Sequence, residues 1–90
     1  MKDKETRRIL KWAVPVDGKY HVIGSGRVAL VACQQPRVVS VWTDEVGEAG
    51  PWAAKAYGTG HPLPVADEHI GSALDAPYVW HVLALTGAQS

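Results

Sequence analysis

Short apolar runs separated by turn residues recur along the whole chain. In the first run, Leu10, Trp12 and Val14 fall on one face of a period-two pattern, as in a strand that buries one side. Glycine, proline and aspartate interrupt the pattern at intervals of roughly eight to twelve residues, which is typical of sandwiches and barrels. The predicted strands are residues 8–16, 20–23, 27–34, 38–43, 52–57, 69–74 and 78–85.

No segment has a convincing helical period, so the predicted fold class is all-β. We expect a small antiparallel β-sandwich or partly open barrel of about seven short strands. Pro15 indicates that the first strand is an edge strand or ends there, because proline lacks the amide donor that a ladder needs. The Asp17-Gly18 pair is a strong turn signal, and it predicts a hairpin between the first and second strands.

The third strand is continuously apolar from Val28 to Cys33, which predicts a strand covered on both faces. With the β-branched fourth strand it is predicted to form the central hairpin of the sheet. The last strand is also apolar on both faces and is predicted to be central. Residues 44–51 are acidic and glycine-rich, and they are predicted to form the longest and most mobile loop.

The segment Tyr-Gly-Thr-Gly-His-Pro-Leu-Pro at 57–64 has the strongest turn chemistry in the chain. Its glycines can adopt positive φ, and its prolines fix their own φ and favour extended neighbours. One interpretation is a corner of the sheet, which glycine in a strand context usually marks. The other is a ligand loop in which Thr59 and His61 offer polar atoms. A nucleotide P-loop is disfavoured because its Gly-x4-Gly-Lys-Ser/Thr pattern is absent.

Length and charge limit the classes of function. Ninety residues make one domain, and a chain this short buries only about 60–65% of its unfolded surface, so the core is thin. The formal net charge is zero, which argues against nucleic acid as a partner. The predicted organisation is a charged flexible tail at 1–8, a single β domain at 9–86 and a C-terminal tail at 87–90.

The single cysteine, Cys33, excludes an internal disulfide framework, and we expect it to be a small core residue. The polar segment 1–8 is not followed by an apolar run, so we expect no signal peptide. No apolar run approaches the roughly 20 residues of a transmembrane helix. These features predict a cytoplasmic protein without a membrane partner.

Several short motifs occur in a characteristic order. They are Lys-Trp at 11–12, Val-Pro-Val at 14–16, Gln34, Val-Trp at 41–42, Tyr-Gly-Thr-Gly-His-Pro at 57–62, His-Ile-Gly-Ser at 69–72 and Val-Trp-His-Val at 79–82. Over residues 9–85 they resemble a family of short proteins from actinobacterial phages and related bacterial genomes, described only as a domain of unknown function. The most specific parts are Gly-Thr-Gly-His-Pro and Val-Trp-His.

The chain departs from that family at 23–27, where a Met-Pro-x-Gly-Ala-like turn is usual, and at Ser72, where threonine is commoner. The resemblance implies a compact β fold, a phage or prophage origin and the cytoplasm of a bacterial host. It carries no catalytic residues to transfer.

Four histidines raise the question of a metal, but none is paired at a ligand spacing, and catalytic zinc needs three convergent ligands. A site at His61 and His69, beside Asp67 and Glu68, is the metal alternative; no metal or cofactor is predicted. His81 lies in an apolar strand, where we expect a hydrogen-bonded histidine. The serines and carboxylates lack nucleophile-elbow or acid–base signatures, so no catalytic residue and no enzymatic activity are predicted.

The chain contains four tryptophans and no phenylalanine. We expect Trp12, Trp42 and Trp80 to build the core. Trp52, which follows the acidic segment, is expected to be exposed and to act as a protein-binding hot spot. Truncation of Trp52 to alanine is then expected to weaken association and to leave the fold intact.

The predicted function is therefore non-enzymatic protein–protein interaction. The partner is a host protein, a phage protein or a second copy of the chain in a homo-oligomer. The predicted binding residues are Trp52, Tyr57, Thr59, His61 and His81. The alternative is a small-ligand or metal-binding module centred on the turn at 58–64.

Overall fold

Residues 7–46 and 51–85 are described in the structure, a computed structural model of the chain, and they form strands and turns without a helix. The strands are β1 Arg7–Pro15, β2 His21–Gly24, β3 Arg27–Gln35, β4 Val38–Val46, β5 Pro51–Gly58, β6 Glu68–Asp75 and β7 Tyr78–Ala84. They form a three-stranded sheet, β1-β4-β3, and a four-stranded sheet, β2-β5-β7-β6. All pairings are antiparallel. The predicted all-β class is confirmed, as a sandwich and not a closed barrel.

The predicted strands all occur, with shifted ends. β1 is an edge strand and β7 is central, as predicted. β3 and β4 form the predicted hairpin, but it is not central, because β3 lies at the edge of its sheet. The described residues contain no helix that could cross a membrane. β4 continues to Val46, so the predicted loop at 44–51 begins too early. Pro51 already belongs to β5, and residues 47–50 lie outside the described part. Residues 1–6 of the predicted N-terminal tail, residue 86 of the predicted domain and the predicted C-terminal tail at 87–90 also lie outside it.

Asp44 can belong to a strand because arginines neutralise it from both neighbouring strands. Arg7 of β1 donates two hydrogen bonds from Nε at 2.9 and 3.0 Å and one from Nη2 at 2.6 Å. The Nη2 atom of Arg27 in β3 lies 3.6 Å from the same carboxylate. These arginines, Arg7 above all, hold the pKa of Asp44 below its usual range. The acidic composition of residues 44–51 therefore predicted a longer loop than the structure has, because Asp44 belongs to β4.

The predicted hairpin of the first two strands is wrong. β1 pairs with β4 along its whole length, from Arg7 opposite Val46 to Pro15 opposite Val38, whereas β2 pairs with β5. The tight turn itself exists, since Gly18 has a φ of +77°. β2 is too short to satisfy the long ladder of β1, which β4 matches residue for residue. The turn instead carries the chain from one sheet to the other.

The prediction that the third strand is covered on both faces is also wrong. β3 is an edge strand, and its Leu30 is exposed. A register shift between Val28 and Leu30 places Val28, Val31 and Cys33 against the core. A bulge sets two residues against one and breaks the alternation of faces. The apolar run of β3 therefore reflects a bulged strand with one buried face.

The core lies between the two sheets and is made mostly of valine and alanine. Its buried cluster consists of Val14, Ile23, Val39, Val41, Ala54, Ala56, Ala73, Trp80 and Val82. Trp12 packs against this cluster and donates its indole N–H to Thr43 at 2.8 Å. The core prediction for Trp42 is wrong: its ladder partner is Lys11, whose Nζ lies 5.4 Å from the Trp42 ring. Trp42 thus covers the outer side of the three-stranded sheet.

Asp75 joins the two sheets. Its Oδ2 atom accepts the indole N–H of Trp80 at 3.0 Å and the backbone N–H of Arg37 at 2.9 Å. Arg37 lies in the turn between β3 and β4 and has a φ of +63°, which side-chain-bearing residues rarely adopt. Its carbonyl accepts the N–H of Val16 at 2.9 Å. One carboxylate at the end of β6 thus anchors a strained turn of the opposite sheet.

The sheets approach each other closely where Gly71 of β6 faces Val31 of β3. A Cβ atom at Gly71 would lie 2.9 Å from the Cβ of Val31. Both strands would have to separate to admit it, since a β-branched side chain in a strand has little freedom to move.

We expect Gly71→Ala to lower the free energy of unfolding by about 1–3 kcal/mol through overpacking. Because the clash is with Val31, the double variant Gly71→Ala/Val31→Ala should lose less stability than the two single variants combined. Urea denaturation of all members of this double-mutant cycle measures the coupling. Strictly additive losses would contradict the close approach.

Asp75 also predicts an acid-sensitive fold. Its hydrogen bonds from the Trp80 indole and the Arg37 amide hold its pKa below the usual range. A lowered folded pKa stabilises the protein above the unfolded value of about 3.9, and this contribution is lost as pH falls through the folded pKa. Asp17 and Asp44 are shifted in the same direction, so the wild type should lose stability below about pH 4.

Asp75→Asn should be less stable than the wild type at neutral pH and should have a shallower loss of stability between about pH 4 and pH 2. Thermal unfolding across that range measures both effects. Glu68→Gln, which removes an exposed carboxylate from the same strand, is the matched control and should follow the wild-type curve. An Asp75→Asn curve parallel to the wild type would refute the role of this carboxylate.

Candidate functional site

The connection between β5 and β6 runs along the length of the four-stranded sheet. Both strands are antiparallel to β7 and hence parallel to each other, with Gly58 opposite Trp80 and Glu68 opposite Ala84. Residues 59–67 must therefore travel from one end of β7 to the other. The predicted tight turn is present at the start: Gly60 has a φ of +92°, and the N–H of His61 donates to the carbonyl of Gly58.

A chain of hydrogen-bonded side chains lies on the outer face of this sheet, the face turned away from the core. Thr59 Oγ1 lies 2.8 Å from His81 Nε2, and His81 Nδ1 lies 2.7 Å from Ser72 Oγ. Ser72 Oγ also lies 2.9 Å from His69 Nε2. The prediction that His81 is hydrogen-bonded is confirmed. We call Thr59, His81, Ser72 and His69 the polar chain.

We infer the direction of these hydrogen bonds from the carbonyl of Val79, which can only accept and lies 3.4 Å from Thr59 Oγ1. If the Thr59 hydroxyl donates to this carbonyl, its oxygen accepts the Nε2–H of His81. Nδ1 of a neutral His81 is then an acceptor, and the hydroxyl of Ser72 donates to it. The Ser72 oxygen in turn accepts the Nε2–H of His69. Each hydroxyl thus donates once and accepts once.

Tyr57 belongs to a second cluster on the same face. Its hydroxyl lies 3.4 Å from that of Tyr20, which donates to the carboxylate of Asp67 at 2.7 Å. These bonds, first that to Tyr57, raise the pKa of Tyr20 above its usual value. The Nζ atom of Lys55 lies 5.0 Å from the Tyr57 ring and 5.5 Å from the Tyr20 ring. The ammonium group is therefore held by aromatic faces.

An open groove of about 660 Å³ lies where the turn between β3 and β4 approaches the end of β5. Arg37, Lys55, Tyr57, His61 and Trp80 line it, and we call it the basic groove. The guanidinium of Arg37 stands 5.9 Å from the Trp80 ring.

The basic groove also has one acidic residue in its lining, Asp17. The Asp17 carboxylate lies 2.9 and 3.0 Å from His21 Nε2 and accepts the backbone N–H of Lys19 at 3.0 Å. His21, the first cause, holds the pKa of Asp17 below its usual range. The Asp17 carboxylate is thus already hydrogen-bonded to residues of its own turn and to His21.

The hairpin of β6 and β7 exposes large apolar side chains beside the polar chain. Leu74 is 70% exposed, Tyr78 52% and Val79 37%. Leu74 and Val79 face each other across the ladder, so they share one side of the sheet. We call these three residues the hairpin patch. β6 has β7 as its only ladder partner among the described strands.

The structure brings some of the predicted binding residues together and separates others. Tyr57 and His61 line the basic groove, whereas Thr59 and His81 belong to the polar chain. Trp52 is not exposed as predicted: it is half-buried and packs against the core. Trp52→Ala should therefore destabilise the fold, contrary to the expectation from sequence.

Sequence reasoning missed Arg37, Lys55 and Ser72. Alternation along β5 does place Lys55 and Tyr57 on one face, which was a usable signal. No pattern in the sequence around Arg37 predicts that it lies beside Lys55 and Tyr57. Within residues 7–46 and 51–85, no three side chains of His, Cys, Asp or Glu form a group that could hold a metal ion.

Comparisons with known proteins identify a family without an assigned activity. A family model described as Domain of unknown function (DUF7352) matches residues 5–90. No curated protein and no solved structure matches the chain.

The polar chain predicts the tautomers of its histidines. When neutral, His81 and His69 should both carry their proton on Nε2, as nitrogen-15 NMR of the imidazole rings can determine. Thr59→Val removes the acceptor of the His81 Nε2–H, so His81 should then populate both tautomers while His21 remains unchanged as the internal control. A wild-type His81 protonated on Nδ1 would exclude the deduced direction.

Proposed function

The chain belongs to the family described as Domain of unknown function (DUF7352), and on that premise we propose that it is a non-enzymatic protein-binding domain. Its binding surface is the free edge of β6 together with the hairpin patch. Its first partner is a second copy of the chain. A host or phage protein is the alternative occupant of the same edge.

The observation that supports this proposal is the contrast between β6 and the other sheet edges. Free edges are usually protected by lysine, proline, bulges or shortness. β1 carries Lys11 and Pro15, β3 has register shifts at both ends, and β2 is only four residues long. β6 contains no lysine, arginine or proline. Its single register shift, between His69 and Gly71, leaves Ser72 to Asp75 regular.

A two-fold pairing suits this edge. Antiparallel addition of β6 to its own copy would satisfy the free backbone groups and extend the four-stranded sheet across both molecules. Leu74 and Val79 of the two hairpin patches would meet on one face of that sheet and lose exposed apolar surface there. The formal net charge of zero means that no long-range repulsion opposes the second copy.

Origin and location are part of the proposal. The Gly-Thr-Gly-His-Pro and Val-Trp-His motifs resemble proteins of actinobacterial phages, and we infer a phage or prophage origin from them. The domain would then act in the cytoplasm of a bacterial host.

Leu74→Lys tests the proposed edge. A charge there would face its copy across the two-fold axis, so the variant should be monomeric where the wild type is dimeric. Ile9→Lys is the matched control, because Ile9 is an equally aliphatic, 54% exposed strand residue of the other sheet, and it should remain dimeric. Sedimentation velocity over a concentration series measures the state, with circular dichroism as a check of folding.

A wild type that is monomeric throughout the series would contradict self-association. A pull-down from bacterial lysate with the wild type and Leu74→Lys would then test whether another protein occupies the edge. Equal dimerisation of Leu74→Lys and Ile9→Lys would place the interface elsewhere.

A further inference from the structure

The basic groove combines a concave shape with two cations, Arg37 and Lys55. Hydrogen bonds from Trp80 and from the Arg37 backbone lower the pKa of Asp75, and the charge of Arg37 contributes to the same shift, but that carboxylate is already hydrogen-bonded to these two donors. Within the described residues, neither Arg37 nor Lys55 forms an ion pair with an acidic side chain. Arg37 is in contact with the Trp80 ring, and Lys55 lies over two tyrosine rings. Arg7 and Arg27, by comparison, both lie against the carboxylate of Asp44, and Lys11 donates a hydrogen bond to Gln34. Two cations without an ion pair on one concave surface are suited to an anion from outside.

We propose that the basic groove binds a small phosphate monoester, with the phosphate held between Arg37 and Lys55. The planar guanidinium of arginine matches two phosphate oxygens, and the ammonium group of lysine adds a point charge. A monoester near neutral pH carries close to two negative charges, which two cations balance.

The protein positions the backbone of Arg37 and the ammonium group of Lys55 before any ligand arrives. The backbone of Arg37 is held on one side by Asp75 and on the other by Val16. Lys55 projects from the middle of β5, and its ammonium group lies over the rings of Tyr57 and Tyr20. Less side-chain freedom is therefore lost on binding, which favours affinity.

The remaining lining suits the organic part of such a ligand. His61 is exposed at the rim and can donate an imidazole N–H, while Gly58 leaves the backbone bare. A volume of about 660 Å³ falls within the range of small-molecule sites. The same groove does not suit a nucleic acid, since two cations and a net charge of zero offer no continuous track for a phosphate backbone. The inference of this ligand site does not rest on the proposed β6 interface.

The test is a titration of the full chain, followed by nitrogen-15 NMR, with glycerol 3-phosphate, inorganic phosphate and sodium chloride at matched ionic strength. Glycerol 3-phosphate should give saturable shifts centred on Arg37, Lys55 and His61. Lys55→Met and Arg37→Gln should each weaken binding roughly tenfold or more, as expected for the loss of a charged hydrogen bond. Arg37→Gln keeps the backbone N–H that Asp75 accepts.

Lys11→Met is the matched control. Lys11 also lies over an aromatic ring, Trp42, but on the other sheet, so this variant changes the net charge equally and should bind like the wild type. Equal weakening by Lys11→Met and Lys55→Met would overturn the site, because only the overall charge would then matter. Shifts that fail to saturate, or that sodium chloride reproduces, would also overturn it. Inorganic phosphate binding as tightly as the ester would overturn the monoester and leave the phosphate ion alone as the ligand.

Discussion

The position of one carboxylate determines how the two sheets of this domain relate to each other. Asp75 ends β6, yet it accepts a hydrogen bond from Trp80 of the core and another from the turn of the opposite sheet at Arg37. A core of valines and alanines tolerates changes in how its side chains pack, so it defines the relative position of the sheets only loosely. The two hydrogen bonds to the charged carboxylate define that position more strictly, because their strength depends on their geometry. We call these two hydrogen bonds to Asp75 the clamp. The clamp fixes the relative position of the two sheets, which the thin core alone does not specify.

Both proposed surfaces depend on that clamp. The turn that presents Arg37 to the basic groove is strained at positive φ, and its conformation is held by the carboxylate of Asp75. Trp80, whose indole donates to the same carboxylate, lines the groove. On the other side of Asp75 begins the hairpin patch, with Leu74 adjacent in β6. Ligand groove and association edge are therefore built on the two sides of one anchoring residue.

The sequence predicted what depends on local pattern and failed where distant contacts decide. Period-two alternation and turn residues located every strand, and β7, which is apolar on both faces, was correctly predicted to be central. The bulge in β3 could not be predicted, because a continuous run of apolar residues has the same sequence pattern whether or not the strand is bulged. The positive φ of Arg37 escaped too, because its stabilising partner is 38 positions away in the chain. Of the candidate site, the turn and His81 were predicted, and its cations were not.

The Gly-Thr-Gly-His-Pro and Val-Trp-His segments contact each other in the fold. Gly58 faces Trp80 in the ladder, and a Cβ there would lie 3.4 Å from the indole. One residue further in each motif, Thr59 bonds to His81 on the outer face. The Gly-Thr-Gly-His-Pro and Val-Trp-His segments thus meet in space and brace each other. Arg37 and Lys55 belong to neither segment, so neither cation takes part in the ladder pairing of Gly58 with Trp80 or in the hydrogen bond between Thr59 and His81.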